Sequence, residues 1–207
     1  MSHYVNPLHP SVHAGNISSY STLGAANQIP LPAAPSAFLI PNRRRLPQTP
    51  YTPSGKWKST SGRMQPLHNP IVFDMKGYSK QGFSMQELYV RGEYALEQMM
   101  QGATDQVLAH APHIRKITVH IRWPGYEHTE WARPIEVVTP RGPITRAALA
   151  QIIALNFARF CEKTQMERPQ SPHWRIGHGS ITFERLVLVS LWNPFEDAWQ
   201  ADVAVDF

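Results

Sequence analysis

Ten histidines, one cysteine and a scatter of carboxylates are the side chains from which this 207-residue chain would build chemistry. His110 and His113, with His120 and His128 further on, are the group a metal would have to gather. The first two flank Pro112 in an expected loop, and no cysteine or carboxylate stands at the companion spacing of a structural zinc site. They read as loop and surface histidines, and neither a metal nor a cofactor is expected. Gly177-His178-Gly179-Ser180 sets a histidine beside a serine, but the glycine-x-serine-x-glycine order and the preceding buried strand of a nucleophile elbow are missing. Cys161 adjoins Phe160 towards the C-terminal end of an amphipathic helix, where the partial negative charge disfavours a thiolate. Packing is the expectation for Cys161 and for Asn156. Glu127, Glu130 and Glu136 follow Trp123 with nothing in their spacing to define a carboxylate pair. There is no Walker loop and no dinucleotide fingerprint, so no catalytic residue is assigned.

Two other groups point to binding. Trp123, Tyr126 and Trp131 gather around one expected loop with Arg122 and Arg133 at its edges. Aromatics and arginine anchor interfaces and also fill cores, so core or loop packing is the favoured reading of these three aromatics, and they are kept as candidate partner-binding residues on the lesser one. Nearer the N-terminus, Arg44, Leu46, Pro47 and Pro50 match the arginine-x-leucine-proline-x-x-proline pattern of SH3 ligands. A polyproline II helix has three residues per turn, which aligns Pro47, Pro50 and Pro53 along one edge and leaves Arg44 to reach an acidic pocket. Thr49 and Thr52 each precede proline and suit a proline-directed kinase, each phosphate adding about −1.5 to −2 charge.

The elements that position these residues divide unevenly along the chain. Eleven of the 19 prolines fall in residues 1–70, with six basic groups and no acidic one, so the formal +5 is a +6 segment joined to a −1 body. Arg43, Arg44 and Arg45, followed by Lys56, Lys58 and Arg63, resemble a sparse bipartite nuclear import signal and would also neutralise phosphates of a nucleic acid. Few large apolar residues occur in 1–70, which predicts a disordered basic tail. Its exception is Ala37 to Ile40, an apolar run able to dock on the body or on a partner. A single cysteine excludes an intramolecular disulfide framework. The longest apolar run, Leu186 to Trp192, is far short of a membrane span, and no secretory signal is read. An intracellular, soluble protein of cytoplasm or nucleus is the expectation.

Beyond a boundary at Asn69 and Pro70, helices and strands are signalled in turn. Ile71 to Asp74 reads as a short strand. Ser84, with Glu87 three residues on and Phe83 and Leu88 at the staple positions, opens a helix expected to run to Gly102; Gly92 on its apolar stripe suggests a close backbone approach. Thr104 is placed to cap a short helix to Ala111. Lys116 to Trp123 alternates as a half-buried strand, Trp123 to Tyr126 suits a type II turn, and Arg133 to Thr139 returns as its hairpin partner. Thr145 caps a helix over 146–163, with Ile144 and Leu149 as its staple. Ile181 to Arg185 is left between turn and strand. Leu186 to Trp192 and Trp199 to Val205 are strands joined by a loop through Asn193, Pro194 and Phe195. This order predicts an α+β domain over 71–207, with a mainly antiparallel sheet packed by two main helices behind the 1–70 tail.

Several of these segments also carry a resemblance. Ile71-Val72-Phe73-Asp74-Met75, the Trp123-Pro124-Gly125-Tyr126 turn before Arg133-Pro134-Ile135, Gly142-Pro143-Ile144-Thr145-Arg146, and Leu186-Val187-Leu188-Val189 with the later Trp199 resemble proteins of mushroom-forming fungi that carry a domain of unknown function. The resemblance spans roughly residues 70–205 and implies a body that folds as a unit. It assigns no functional residue. A non-enzymatic protein-interaction role is therefore the functional expectation, with nucleic-acid association through the tail, or less favourably a small hydrolase or transferase, as alternatives.

Overall fold

The computed structural model describes residues 36–53 and 68–207. Its fold is α+β, built on a mainly antiparallel sheet. In β4 (Lys116–Ile121) the buried positions Ile117, Val119 and Ile121 alternate with more exposed ones, as a strand with one covered face requires. β5 (Trp131–Glu136) pairs antiparallel with it, Ile121 opposite Trp131 and Lys116 opposite Glu136. Pro134 is tolerated within β5 because this strand ends the sheet order. A short second ladder joins β6 (Val138–Thr139) to β7 (Gly142–Pro143).

The central hairpin is β8 (Leu186–Phe195) with β9 (Ala198–Asp206), buried along nearly its whole length. Sheet order is β2 (Ile71–Val72), β8, β9, β4, β5, with β3 (Phe83–Ser84) also pairing β8. β4 lies parallel to β9, Val119 beside Trp199, and every other pairing between these strands among the described residues is antiparallel. Asn193, Pro194 and Phe195, expected as a loop, extend β8 through a register shift. The Asn193 amide donates to the carbonyls of Glu196 and Ala198, occupying backbone acceptors that the irregular ladder leaves over.

Helix α3 (Arg146–Thr164) starts as its sequence dictates: Thr145 accepts from the Ala148 N–H at 3.2 Å, and the staple pair Ile144 and Leu149 is buried. Its Ile153, Phe157 and Phe160 join one core with Trp199, Ala201, Val203 and Val205 of β9. Ser84 caps α1 (Met85–Val90) through the Glu87 N–H. The helix expected to continue to Gly102 stops there, because Gly92 takes φ −74 and ψ 163 and opens a separate α2 (Glu93–Met99). Nothing lies within 4 Å of a Cβ placed on Gly92, so this glycine turns a corner rather than admitting a neighbour. Residues 104–111 form hydrogen-bonded turns instead of a helix, Ala109 N–H to the Gln106 carbonyl and Ala111 N–H to Leu108.

The boundary expected at Asn69 and Pro70 is overturned. One compact unit runs over Pro32–Phe207. Within it β1 (Arg43–Arg45) pairs antiparallel with β9, Arg43 opposite Asp206 and Arg45 opposite Ala204. β4 takes residues 198–200 of β9 and β1 takes residues 204–206, so together they cover the edge that β8 leaves open. Leu46 follows into the main core, 2% exposed, with its N–H on the Val203 carbonyl at 2.9 Å. Ala37 packs with Val187, Val189 and Ala204 in a smaller cluster that Phe38 flanks. Local composition argued for a tail, but an open strand edge and a buried carboxylate on β9 outweigh it. Residues 1–35 and 54–67, and with them Lys56, Lys58 and Arg63, lie outside the described residues.

Candidate functional site

The segment after β1 bridges β9 to the end of β4 through side chains that imitate a ladder. The Gln200 amide donates to the Thr49 carbonyl at 3.1 Å and accepts from the Tyr51 N–H at 2.6 Å. Gln48 does the reverse office, donating to the Ala201 carbonyl at 2.7 Å and accepting from the Arg122 N–H at 3.1 Å. Upstream, Arg45 grips Asp202 by two bonds of 2.7 and 3.0 Å, and Arg43 grips Asp206 by two of 2.5 and 2.9 Å. Asp202 is buried, and desolvation lifts its carboxyl above the ordinary range despite the opposing pull of Arg45.

Where this segment meets the β4–β5 loop there is a cleft of about 170 Å³, lined by Tyr51, His120, Arg122, Glu127, Glu130 and Trp131 among others. His120 lies opposite Gln200 on the parallel ladder, and its ring packs on Tyr51 with centroids 4.2 Å apart. Burial holds its pKa below the usual imidazole value against the attraction of Asp197, so the ring is neutral at pH 7. Trp131 is buried, and its indole Nε1 has no hydrogen-bond partner. Of the three glutamates considered from the sequence, Glu127 and Glu130 reach this cleft, whereas Glu136 pairs across the sheet opposite Lys116.

The aromatic loop is core, the favoured of its two readings, and the lesser one, an exposed interaction surface, is set aside. Trp123, Tyr126 and Trp131 are all buried, and their rings surround Phe160 with centroids 6.0, 6.4 and 5.6 Å from it. Each polar tip but one is satisfied internally: Trp123 Nε1 donates to the Trp174 carbonyl at 2.7 Å, and the Tyr126 hydroxyl accepts from the Ile176 N–H at 3.0 Å. The expected turn is present, with Gly125 at φ +85 and the Tyr126 N–H on the Trp123 carbonyl. A Cβ on Gly125 would meet the Ser171 nitrogen at 2.6 Å, so the turn needs glycine for space as well as for φ. Glu167 completes the clamp by bonding His128 at 2.9 Å and Thr129 at 3.0 Å.

The SH3-type motif is likewise not presented for docking. Its Leu46 fills the core, and Arg44, which is exposed, lies over the Phe207 ring at 5.2 Å. Pro47 is exposed and Pro50 half-buried, but a partner groove would have to extract Leu46 to engage them together. Thr49 and Thr52 are exposed.

Cys161 behaves as its helix position suggested: burial pushes its thiol up to about 12. At pH 8 it is expected to ignore a thiol-specific disulfide reagent in the native protein and to react fully once the chain is unfolded; prompt native reaction would show an open path to the thiol. Asn156 bonds the Ile152 carbonyl one turn back, and Ser180 closes a tight turn onto Gly177.

The four histidines considered together from the sequence separate. His120 faces Tyr51 and His128 faces Glu167, while His110 and His113 are joined by His68, which the sequence reading had consigned to the tail. As they stand, no three His, Cys, Asp or Glu side chains among the described residues are placed to hold a metal ion. No helix among them is long and apolar enough to cross a membrane. No family model, curated protein or solved structure matches the chain.

Proposed function

We propose that this chain is a non-enzymatic protein-binding module whose cleft beside β4 receives one polar side chain of its partner. Trp131 carries the reading: the residue lines the cleft, and its indole N–H, itself buried, lacks an acceptor. A buried donor left unpaired costs about 1–3 kcal/mol, a deficit that an incoming acceptor removes. At about 170 Å³ the cleft falls below the roughly 300–1,000 Å³ of cofactor and drug-sized sites, yet it has room for a side chain. Arg122 and Trp131, whose side chains carry donors, share the lining with Glu127 and Glu130, whose side chains carry carboxylates. That mixture favours a neutral group which both accepts and donates, the carboxamide of Asn or Gln.

The alternatives have less support. A thiol nucleophile is inconsistent with the environment of Cys161. Nucleic-acid binding loses two of the six N-terminal cations, because Arg43 and Arg45 are already paired with Asp206 and Asp202. The test uses blocked amino-acid amides as probes and the Trp131 indole N–H resonance as reporter, assigned with Trp131→Phe. Blocked glutamine or asparagine is expected to shift that resonance saturably, with blocked leucine and lysine inert. If no member of the panel moves it, the cleft is not a side-chain receptor and the reading fails.

A further inference from the structure

Beyond the C-terminal end of α3 the chain forms a loop, closing at Ile176, that the aromatic core holds down. The Glu167 N–H donates to the Thr164 carbonyl at 2.9 Å and the Gln170 N–H to the Gly125 carbonyl at 2.8 Å. Further on, the Trp174 carbonyl accepts from Trp123 Nε1 and the Ile176 N–H donates to the Tyr126 hydroxyl. On this fixed frame lies a groove of about 480 Å³ that shares no lining residue with the cleft. Met166, Pro169 and Pro172 supply apolar lining, and Arg168 and Arg175 supply basic lining. Met166 is 92% exposed, more than any other large hydrophobic residue among those described, so its apolar surface is uncovered. Arg168 and Arg175 are exposed as well, and neither guanidinium has a hydrogen bond or an ion pair among the described residues. The one acid in the lining, Glu167, is engaged elsewhere: its carboxylate bonds His128 and Thr129, and Lys163 is the further cation acting on it. Lys163 also stands in the last turn of α3, where it answers the partial negative charge of the helix end. The two arginines are thus left without a counter-charge.

We propose that this groove is a binding site for an aryl phosphate, the head of a phosphotyrosine side chain on a protein partner. Charge selects the phosphate. A phosphate monoester carries about −1.5 to −2 at pH 7, which matches two guanidiniums, whereas a carboxylate answers only one. Guanidinium forks also meet phosphate oxygens through paired N–H bonds, a geometry that a lysine ammonium does not offer. The apolar residues select the carrier. An unbranched methionine thioether packs favourably on an aromatic ring, and Pro169 and Pro172 add stiff apolar surface beside it. The groove volume of about 480 Å³ lies within the roughly 300–1,000 Å³ of small-ligand sites, which leaves room for a ring as well as its phosphate. A serine phosphate would answer the arginines and leave Met166 and the prolines unused. The site is independent of the cleft beside β4 and stands whether or not that cleft takes a carboxamide.

The experiment titrates the isotopically labelled full chain with phenyl phosphate at pH 7 and follows the Nε–H resonances of Arg168 and Arg175, assigned with Arg168→Gln and Arg175→Gln. Both resonances are expected to shift saturably. Each replacement is expected to weaken binding at least tenfold and to leave the thermal melt unchanged, since neither guanidinium is bonded within the described fold. Blocked phosphotyrosine is expected to match phenyl phosphate, while inorganic phosphate, benzoate and blocked phosphoserine bind at least tenfold more weakly. Met166→Ala is expected to remove most of the preference for phenyl phosphate over inorganic phosphate. Affinity falls from pH 7 to pH 5 as the phosphate takes up its second proton, with a pKa of about 6. A chain with Lys56, Lys58 and Arg63 all replaced by Gln controls for other cations and is expected to keep the site. No saturable shift, equal binding by inorganic phosphate, benzoate or phosphoserine, or phenyl phosphate binding that survives both arginine replacements would overturn the proposal.

Discussion

A fragment beginning at Ile71 is expected to be largely unfolded at 25 °C, whereas one beginning at Pro32 folds cooperatively. The difference is the contribution of residues 36–53. Removing them takes Leu46 out of the core, for which large-to-small replacements alone cost about 2–5 kcal/mol. It also strands the buried Asp202 without Arg45, and breaking a buried pair from one side costs about 3–5 kcal/mol. Together these rival the entire 5–15 kcal/mol that holds a typical domain, before the unpaired edge of β9 at 204–206 is counted. Urea denaturation of the two fragments followed by circular dichroism checks this. A fragment from Ile71 with a midpoint close to that of the longer one would show that β1 and Leu46 are decoration.

Arg45→Met is expected to destabilise the protein at pH 7 by about 3–5 kcal/mol, more than Asp202→Leu does. The two partners differ in access to water: the Asp202 side chain is 3% exposed and that of Arg45 is 26%. An abandoned Arg45 can swing its head group outward along its aliphatic stem, but an abandoned Asp202 cannot. The pH dependence follows from the same asymmetry. Burial already raises the Asp202 carboxyl in the folded state, so its contribution is favourable below the unfolded pKa and is lost as pH rises through the folded one. Without Arg45 that raised value climbs further, and the deficit of Arg45→Met should shrink as the solution is acidified towards pH 5. Replacing both residues, Arg45→Met with Asp202→Leu, is expected to restore most of the stability. A deficit independent of pH, or a double variant worse than either single one, would refute the account.

What was legible in the sequence was local and periodic. The caps at Ser84 and Thr145, the alternation of β4, and the aligned Trp199, Ala201, Val203 and Val205 all appear as read, because each depends on neighbours within a few residues. Gly92 was legible as an irregularity but not as a corner, since one glycine fits a packed helix and a break equally well. The 43–46 segment was misread because what folds it is remote: the edge of β9, Val203 and two aspartates more than 150 residues away. The aromatic loop was left between two readings, core the favoured one, for a related reason. Trp123, Tyr126 and Trp131 look alike in an interface and in a core, and only the position of Phe160 decides between them. His68 and Tyr51 had no local signal at all; they matter through the company that the sheet gives them.

The closure of β9 by β1 also sets an order of events during synthesis. Arg43 and Asp206 are 163 residues apart, and ribosomes add roughly 5–20 residues per second. The strand that completes the sheet therefore emerges first and waits roughly 8–33 seconds for its partner to be made. Through that interval Leu46 and the apolar run at Ala37 have nowhere native to go, because β9 and the part of the sheet they pack on are made last. A chain built this way has its last contacts among its longest, so its exposure to chaperones and to its own unpaired strands is fixed by topology rather than by the stability of the finished fold.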